Sequence, residues 1–479
     1  WLEAMLKQIH PDMEETDEGL KPWDIILQAS MQFSLLSPAK SHGDVNSSDP
    51  NLLRIHRIPA AHIANKASEE GLYHWQQIES YLDRLGTWLE HDNKLATLDE
   101  RNQNQLWLMS QATELIEKHP SLTLLRQFSV ATRLEGRHGS LNQAIALSNL
   151  IRRNLEVILV RNPDSVQAEH NLATLEEKLG SFYMRRGQSG DADRALVHYE
   201  ASLKTRENMQ ERNPEYAHAA REVAISQERL GSFYLRRRQS RDIERALGYY
   251  EASLNIRKEL HRRNPDSAQA ERDLSVLQSM LGDFHLQRGQ SGDAERALDY
   301  YEASLKIAED LYARNPDSAE AARDLSVSQD MLGNFHMQCG QAGDAERALG
   351  YYEASLKTRE HLYARNPDSA QAARDLSVSQ NSLGNLHLQR GRPGDAEQAL
   401  ACYEAFLTIA EDLRRRAPDS AEAARDLSVA QNNLGDSYLQ RGQPGDAERA
   451  LERVKAAAQI FETLLERGKA GPEALQQLV

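Results

Sequence analysis

The sequence predicts an all-α fold, a solenoid of antiparallel helix pairs, on three observations. Strings related to Arg-Asn-Pro-Asp-Ser begin at Arg161, Arg212, Arg263, Arg314, Arg365 and Arg416, each 51 residues after the one before (212 − 161 = 51, 263 − 212 = 51). A fixed period of that size is the mark of stacked supersecondary units. Within a copy the apolar residues fall at helical rather than strand spacing, as at Leu325, Leu332 and Phe335. Aromatic residues make up only 6% of the 479 residues and the mean hydropathy is −0.66. An elongated body with two solvated faces tolerates that polarity better than one large globule does.

Each copy reads as two helices of about 20 residues, roughly 30 Å long at 1.5 Å per residue. In the fourth copy Asn315-Pro316-Asp317 opens the first helix (helix A), with Asp317 as N-cap and Glu320 completing a capping box. Gly340 and Gly343 interrupt the pattern, and Asp344 caps the second helix (helix B). Helix B carries Ala348, Leu349, Tyr352, Ala354, Leu356 and Leu362 and ends before Asn366-Pro367. The Gly-Asp pair that opens helix B recurs in every copy except the second, where it is Arg241-Asp242. Neither helix can bury its apolar stripe alone, so copies stack and stability sums over neighbouring pairs.

Six copies cover residues 161–466. Ahead of them Gly136, Gly139 and Ala144 keep the period, which places a degenerate copy at 115–160. Residues 467–479 read as the opening of a further copy or as a C-terminal cap. Residues 1–114 differ in kind: all five tryptophans lie there, and the region is expected to be helical, with a loop at Asp44 to Pro50 between helical or mixed segments.

Composition narrows the function. With 57 basic against 72 acidic residues the net charge is 57 − 72 = −15, which argues against nucleic acid as a partner. Two cysteines, Cys339 and Cys402, exclude a disulfide scaffold and a cysteine-based zinc module and fit a reducing cytoplasm. No run approaches the roughly 18 apolar residues needed to span a bilayer. A chain that opens at Trp1, with neither Met nor a basic leader, is expected to be a fragment of a longer protein. No P-loop, no dinucleotide-binding glycine motif and no His-Glu-x-x-His occurs, so no catalytic, cofactor-binding or metal-binding residue is expected. His285, His336 and His387 sit one per copy. Packed helices lie about 8–10 Å apart, too far for single-copy ligands to converge on a zinc held at about 2.0 Å. They read as core or groove-wall residues.

In the first copy Leu179, Gly180, Tyr183, Gly187, Ala195, Tyr199 and Leu203, followed by Pro214, resemble the tetratricopeptide repeat. The match recurs six times in register but is 51 residues long rather than 34. The resemblance implies a right-handed solenoid and protein–protein recognition without catalysis. It also implies that helix-A positions line a concave groove. Before the Leu-Gly of each copy these are Glu177, Glu228, Ser279, Asp330, Asn381 and Asn432; after it, Ser181, Ser232, Asp283, Asn334, Asn385 and Asp436; and one turn on, Arg185, Arg236, Gln287, Gln338, Gln389 and Gln440. Arg185, Arg236, Asp283, Gln287, Asp330, Asn334, Gln338, Asn381, Asn385, Gln389, Asn432 and Asp436 are the expected partner-binding residues, able to pair with a peptide backbone and, at the Arg end, with acidic groups. An ordinary solvated face explains the same stripe. Residues from Ser34-Leu35-Leu36 to Leu52-Leu53-Arg54-Ile55-His56-Arg57 weakly resemble the end of a winged-helix domain, as found between the nucleotide-binding core and the repeats of STAND and NB-ARC signalling ATPases. That resemblance implies a second reading, the sensing arm of a larger ATPase whose nucleotide-binding domain lies upstream.

Overall fold

The structure, a computed structural model, describes residues 36–40, 48–55, 141–418 and 420–466. The five tryptophans, the rest of the N-terminal region, residues 115–140 of the degenerate copy and residues 467–479 lie outside the described residues. The chain divides into two compact units, Trp1–Met209 and Gln210–Val479.

In the first unit β1 (Leu36–Lys40) and β2 (Ser48–Ile55) pair antiparallel, Leu36 opposite Ile55 and Pro38 opposite Leu53, with an irregularity between Pro38 and Lys40. The second strand takes in Ser48, Asp49 and Pro50, so the loop expected at Asp44 to Pro50 ends earlier than the polar composition indicated. Three helices follow: α1 (Leu141–Arg161), α2 (Val166–Arg186) and α3 (Asp191–Arg212). Ile151 and Leu155 of α1 pack with Leu175, Leu179 and Phe182 of α2 into one buried cluster.

The second unit contains α4 (Ala217–Arg237), α5 (Asp242–Arg263), α6 (Ala268–Arg288), α7 (Asp293–Arg314), α8 (Ala319–Cys339), α9 (Asp344–Arg365), α10 (Ala370–Arg390), α11 (Asp395–Arg416), α12 (Ala421–Arg441) and α13 (Asp446–Glu466). Even-numbered helices are the A helices of the repeats and odd-numbered ones the B helices. Each helix packs on its neighbours in sequence, and α6, α8, α10 and α12 also touch in succession.

The local causes repeat with the sequence. Ser318, not Asp317, caps α8, because its hydroxyl accepts from the Ala321 N–H while the backbone is still extended; Ser267, Ser369 and Ser420 do the same. Asp344 is likewise not a cap but the first residue of α9, after Gly343 at φ +89°. Its carboxylate is buried and folds back to accept from the Gln341 N–H at 2.9 Å, which locks the turn between the helices.

The glycine of each Leu-Gly has a steric cause. A Cβ built at Gly333 would lie 2.7 Å from the Tyr352 ring of helix B, and Gly231, Gly282 and Gly384 meet Tyr250, Tyr301 and Tyr403 in the same way. Helix B thus lies against a bare stretch of helix A.

Candidate partner-binding face

The three polar rows of helix A do different things. The first row turns toward helix B. Glu177 pairs with buried Arg206 (2.8 Å), Glu228 with Arg257 (3.0 Å) and Asp330 with Arg359 (2.7 Å). Where helix B has Ala308 or Ala410 instead of Arg, helix A has Ser279 or Asn381 instead of an acid. Ser279 bonds the Ser304 hydroxyl (2.9 Å), and Asn381 accepts from Asn433 of the next A helix (2.5 Å). Acid and arginine therefore come and go together, as a buried charge requires. Asn432 is half-buried. Burial holds the Asp330 carboxyl above its ordinary value, with Arg359 opposing.

The second row faces solvent. Asp283, Asn334, Asn385 and Asp436 are exposed, and the helix-B tyrosines that rest on the glycines reach three of them. Tyr301 donates to Asp283 Oδ1, Tyr352 to Asn334 Oδ1 and Tyr403 to Asn385 Oδ1, each at 2.6 Å. A carboxylate can only accept, so the tyrosine is the donor in the third copy. The same geometry in the next two copies fixes the amides with oxygen inward and both N–H donors outward. Desolvation beside the tyrosine ring pushes the Asp283 carboxyl up, and the hydroxyl's hydrogen bond opposes it.

The third row, Arg236, Gln287, Gln338, Gln389 and Gln440 in the second unit and Arg185 in the first, is exposed throughout. On the same face lies a fourth row, an apolar one: Val276, Val327 and Val378, each seven residues before the second row, are 53%, 38% and 47% exposed. Ion pairs tie successive A helices along it, Arg221 to Asp273, Arg272 to Asp324, Arg323 to Asp375 (2.8 Å) and Arg374 to Asp426 (3.0 Å).

The buried histidines and turn aspartates are occupied structurally. His285, His336 and His387 are buried, with Nδ1 on Asp293 (3.0 Å), Asp344 (2.9 Å) and Asp395 (3.2 Å) of their own copies. Among the described residues no group of three or more His, Cys, Asp or Glu side chains could hold a metal ion. The turn aspartates also pair with Arg186, Arg237, Arg288, Arg390 and Arg441; the fourth copy has Cys339 at that position. Arg186 and Arg441 hold the Asp191 and Asp446 carboxyls down at about 2. Burial lifts the Cys402 thiol to about 11, which disfavours the nucleophilic thiolate.

Paired helices stacked in register, with charged side chains spent on holding the stack and one polar face left open, make this a helical-repeat protein. Residues 275–299, 378–401 and 428–453 match the tetratricopeptide repeat, and residues 224–255 match the Sel1 repeat. These matched stretches carry tetratricopeptide- and Sel1-type repeats. Similar solved structures include BtubC from P. vanneervenii (21% identity, covering 59% of this chain and 94% of that one, TM-score 0.44). A thermophilic tetratricopeptide protein of Thermus thermophilus, TTC0263, is 19% identical over 54% of this chain and 98% of its own, with a TM-score of 0.30. A tetratricopeptide repeat protein from Parabacteroides merdae is 13% identical over 70% and 98%, with a TM-score of 0.32. No curated protein matches the sequence. Among the described residues no helix is long and apolar enough to cross a membrane.

Proposed function

We propose that the array is a non-catalytic protein-interaction module that holds a partner segment across its A helices. The supporting observation is the tyrosine-fixed row of Asn334 and Asn385, flanked by exposed glutamines and by the open valine row. Outward N–H donors at a constant interval suit the carbonyl oxygens of an extended backbone, and the valines suit its apolar side chains. The test is a pull-down with the full chain, followed by titration of the captured partner against an Asn334→Ala, Asn385→Ala double variant. Each truncation also takes away the acceptor of a buried tyrosine hydroxyl, so the double variant should lose about 1–3 kcal/mol of stability yet remain folded, while affinity falls at least several-fold. Unchanged affinity, with the partner mapped to the B helices, refutes the assignment.

The antiparallel strand pair at 36–40 and 48–55 favours a second reading, because the wing of a winged-helix domain is such a hairpin. On that reading the repeats are the sensing arm of a STAND- or NB-ARC-type ATPase. It requires a nucleotide-binding domain encoded directly upstream of Trp1, which sequencing of the gene decides.

A further inference from the structure

The turn between α4 and α5 breaks the rule the other turns obey. The first, third, fourth, fifth and sixth copies place two glycines in the left-handed region, as at Gly289 (φ +64°) and Gly292 (φ +79°). The second copy places Arg238 (φ +53°) and Arg241 (φ +66°) there, the only two non-glycine residues with positive φ among the described residues. An L-residue with a side chain is held in that region at a cost glycine does not incur. Nothing in the fold asks for it, since five copies make the same turn with glycine.

The turn is nonetheless rigid. Buried Asp242 accepts from the Gln239 N–H at 2.9 Å and from Arg237 through both carboxylate oxygens, and the Arg238 N–H donates to the Tyr234 carbonyl at 3.2 Å. Arg237 is thereby spent on the fold, and Arg245 lies over the Tyr234 ring (5.5 Å). Arg236, Arg238 and Arg241 remain exposed, three guanidinium groups within six residues on a chain of net charge −15. The acid nearest in sequence outside the turn's own lock, Glu244, interacts with Arg288 of the next copy. Strain retained against a cheaper alternative points to a function for the side chains that impose it.

We propose that this turn is an anion-recognition site for an acidic protein segment, in which Arg236, Arg238 and Arg241 grip successive carboxylates. Guanidinium groups match carboxylates in a planar two-bond geometry. The fixed backbone presents them without further ordering. A long polyanion such as nucleic acid is disfavoured by the charge of the rest of the chain. The proposal shares with the interaction-module reading that the partner is a protein, and shares Arg236, which ends the third helix-A row; Arg238 and Arg241 in the turn belong to neither the asparagine nor the valine row.

The experiment titrates a fluorescein-labelled oligoglutamate peptide against the full chain, with a single-stranded oligonucleotide as comparator. Arg238→Gly with Arg241→Gly restores the turn of the other five copies, so it should fold and melt at a higher temperature than the natural chain. It should bind the peptide at least ten-fold more weakly, and with a smaller loss of affinity on adding salt. Arg238→Asn with Arg241→Asn, which keeps left-handed backbone with less strain, should lose binding equally. The Asn334→Ala, Asn385→Ala variant should bind the peptide as the natural chain does, which separates this site from the helix-A rows. Peptide affinity unchanged in the glycine variant, no binding by the natural chain, or tighter binding of the oligonucleotide overturns the proposal.

Discussion

Removing Arg359 should expose how the repeat junctions carry charge. Arg359 is 4% exposed, pairs with Asp330, and also donates to the hydroxyls of Ser326 (3.1 Å) and Ser379 (2.7 Å), joining α9 to the A helices on both sides. Arg359→Ala leaves a half-buried carboxylate without its cation. Breaking a buried pair costs about 3–5 kcal/mol; the partial access of water to Asp330 brings the expectation down to about 2–4 kcal/mol. The third copy already shows the neutral solution, Ser279 with Ala308, in which the Ser304 hydroxyl lies 2.8 Å from Ser275 and 2.9 Å from Ser279. Asp330→Ser with Arg359→Ala recreates that arrangement around Ser355. It should recover most of the loss, ending within about 1 kcal/mol of the natural chain, because replacing both partners of a buried pair is often near neutral. Urea unfolding of the single and double variants gives the coupling energy. A pH series adds a signed check. Without Arg359 the Asp330 carboxyl, already held above its ordinary value by burial, rises further. A raised folded-state pKa favours the fold at pH below the ordinary carboxylate value near 4 and loses that contribution as pH climbs. Arg359→Ala should therefore be least damaging near pH 4 and most damaging near pH 7. A double variant no better than the single, or a single variant whose deficit grows in acid, refutes the reasoning.

Two further outcomes follow from the repeat geometry. Gly333→Ala drives a methyl to 2.7 Å from the Tyr352 ring and should destabilise by about 1–3 kcal/mol, whereas a methyl at Gly435 meets Val454, the Ala450 carbonyl and Arg453 at 3.3, 3.4 and 3.6 Å, so Gly435→Ala should be neutral or gain up to about 1 kcal/mol of helix propensity; thermal melts of the two compare them directly. Cys339→Arg supplies buried Asp344 with the cation its counterparts have in the other copies and should stabilise by about 1–2 kcal/mol, read by urea unfolding; no gain means that His336 and the Gln341 N–H already satisfy the carboxylate.

How much of this was legible differs residue by residue. The period and the helix pairs follow directly from the recurrence of Leu-Gly and Asn-Pro. The pattern points to Asp317 where Ser318 caps, because Asp and Ser are both strong caps and only backbone angles choose between neighbours. The pairing of acid with arginine, Glu177 with Arg206 or Asp330 with Arg359, is present in the sequence as columns 29 residues apart that change together. A helix-by-helix reading does not bring those columns side by side. The valines were legible in principle: Val327 is seven residues before Asn334 and so shares its face of the helix, opposite Leu325, Leu332 and Phe335, and their exposure agrees. The roles of Asp283, Asn334 and Asn385 depend on tyrosines 18 residues on, a contact that exists only once helix B lies against the bare glycine.

The ion pairs between successive A helices join residues 52 apart, one position beyond the period, and every junction from Arg221–Asp273 to Arg374–Asp426 uses the same two residue types. Genetic recombination between copies that removes one whole period brings Arg272 to Asp375 in place of Asp324, charge against charge as before. The same exchange in reverse inserts a copy whose two new junctions are already complementary. Array length is thus free to drift by whole copies while every seam stays matched, and a shift by any other number of residues is penalised at once by unpaired charge.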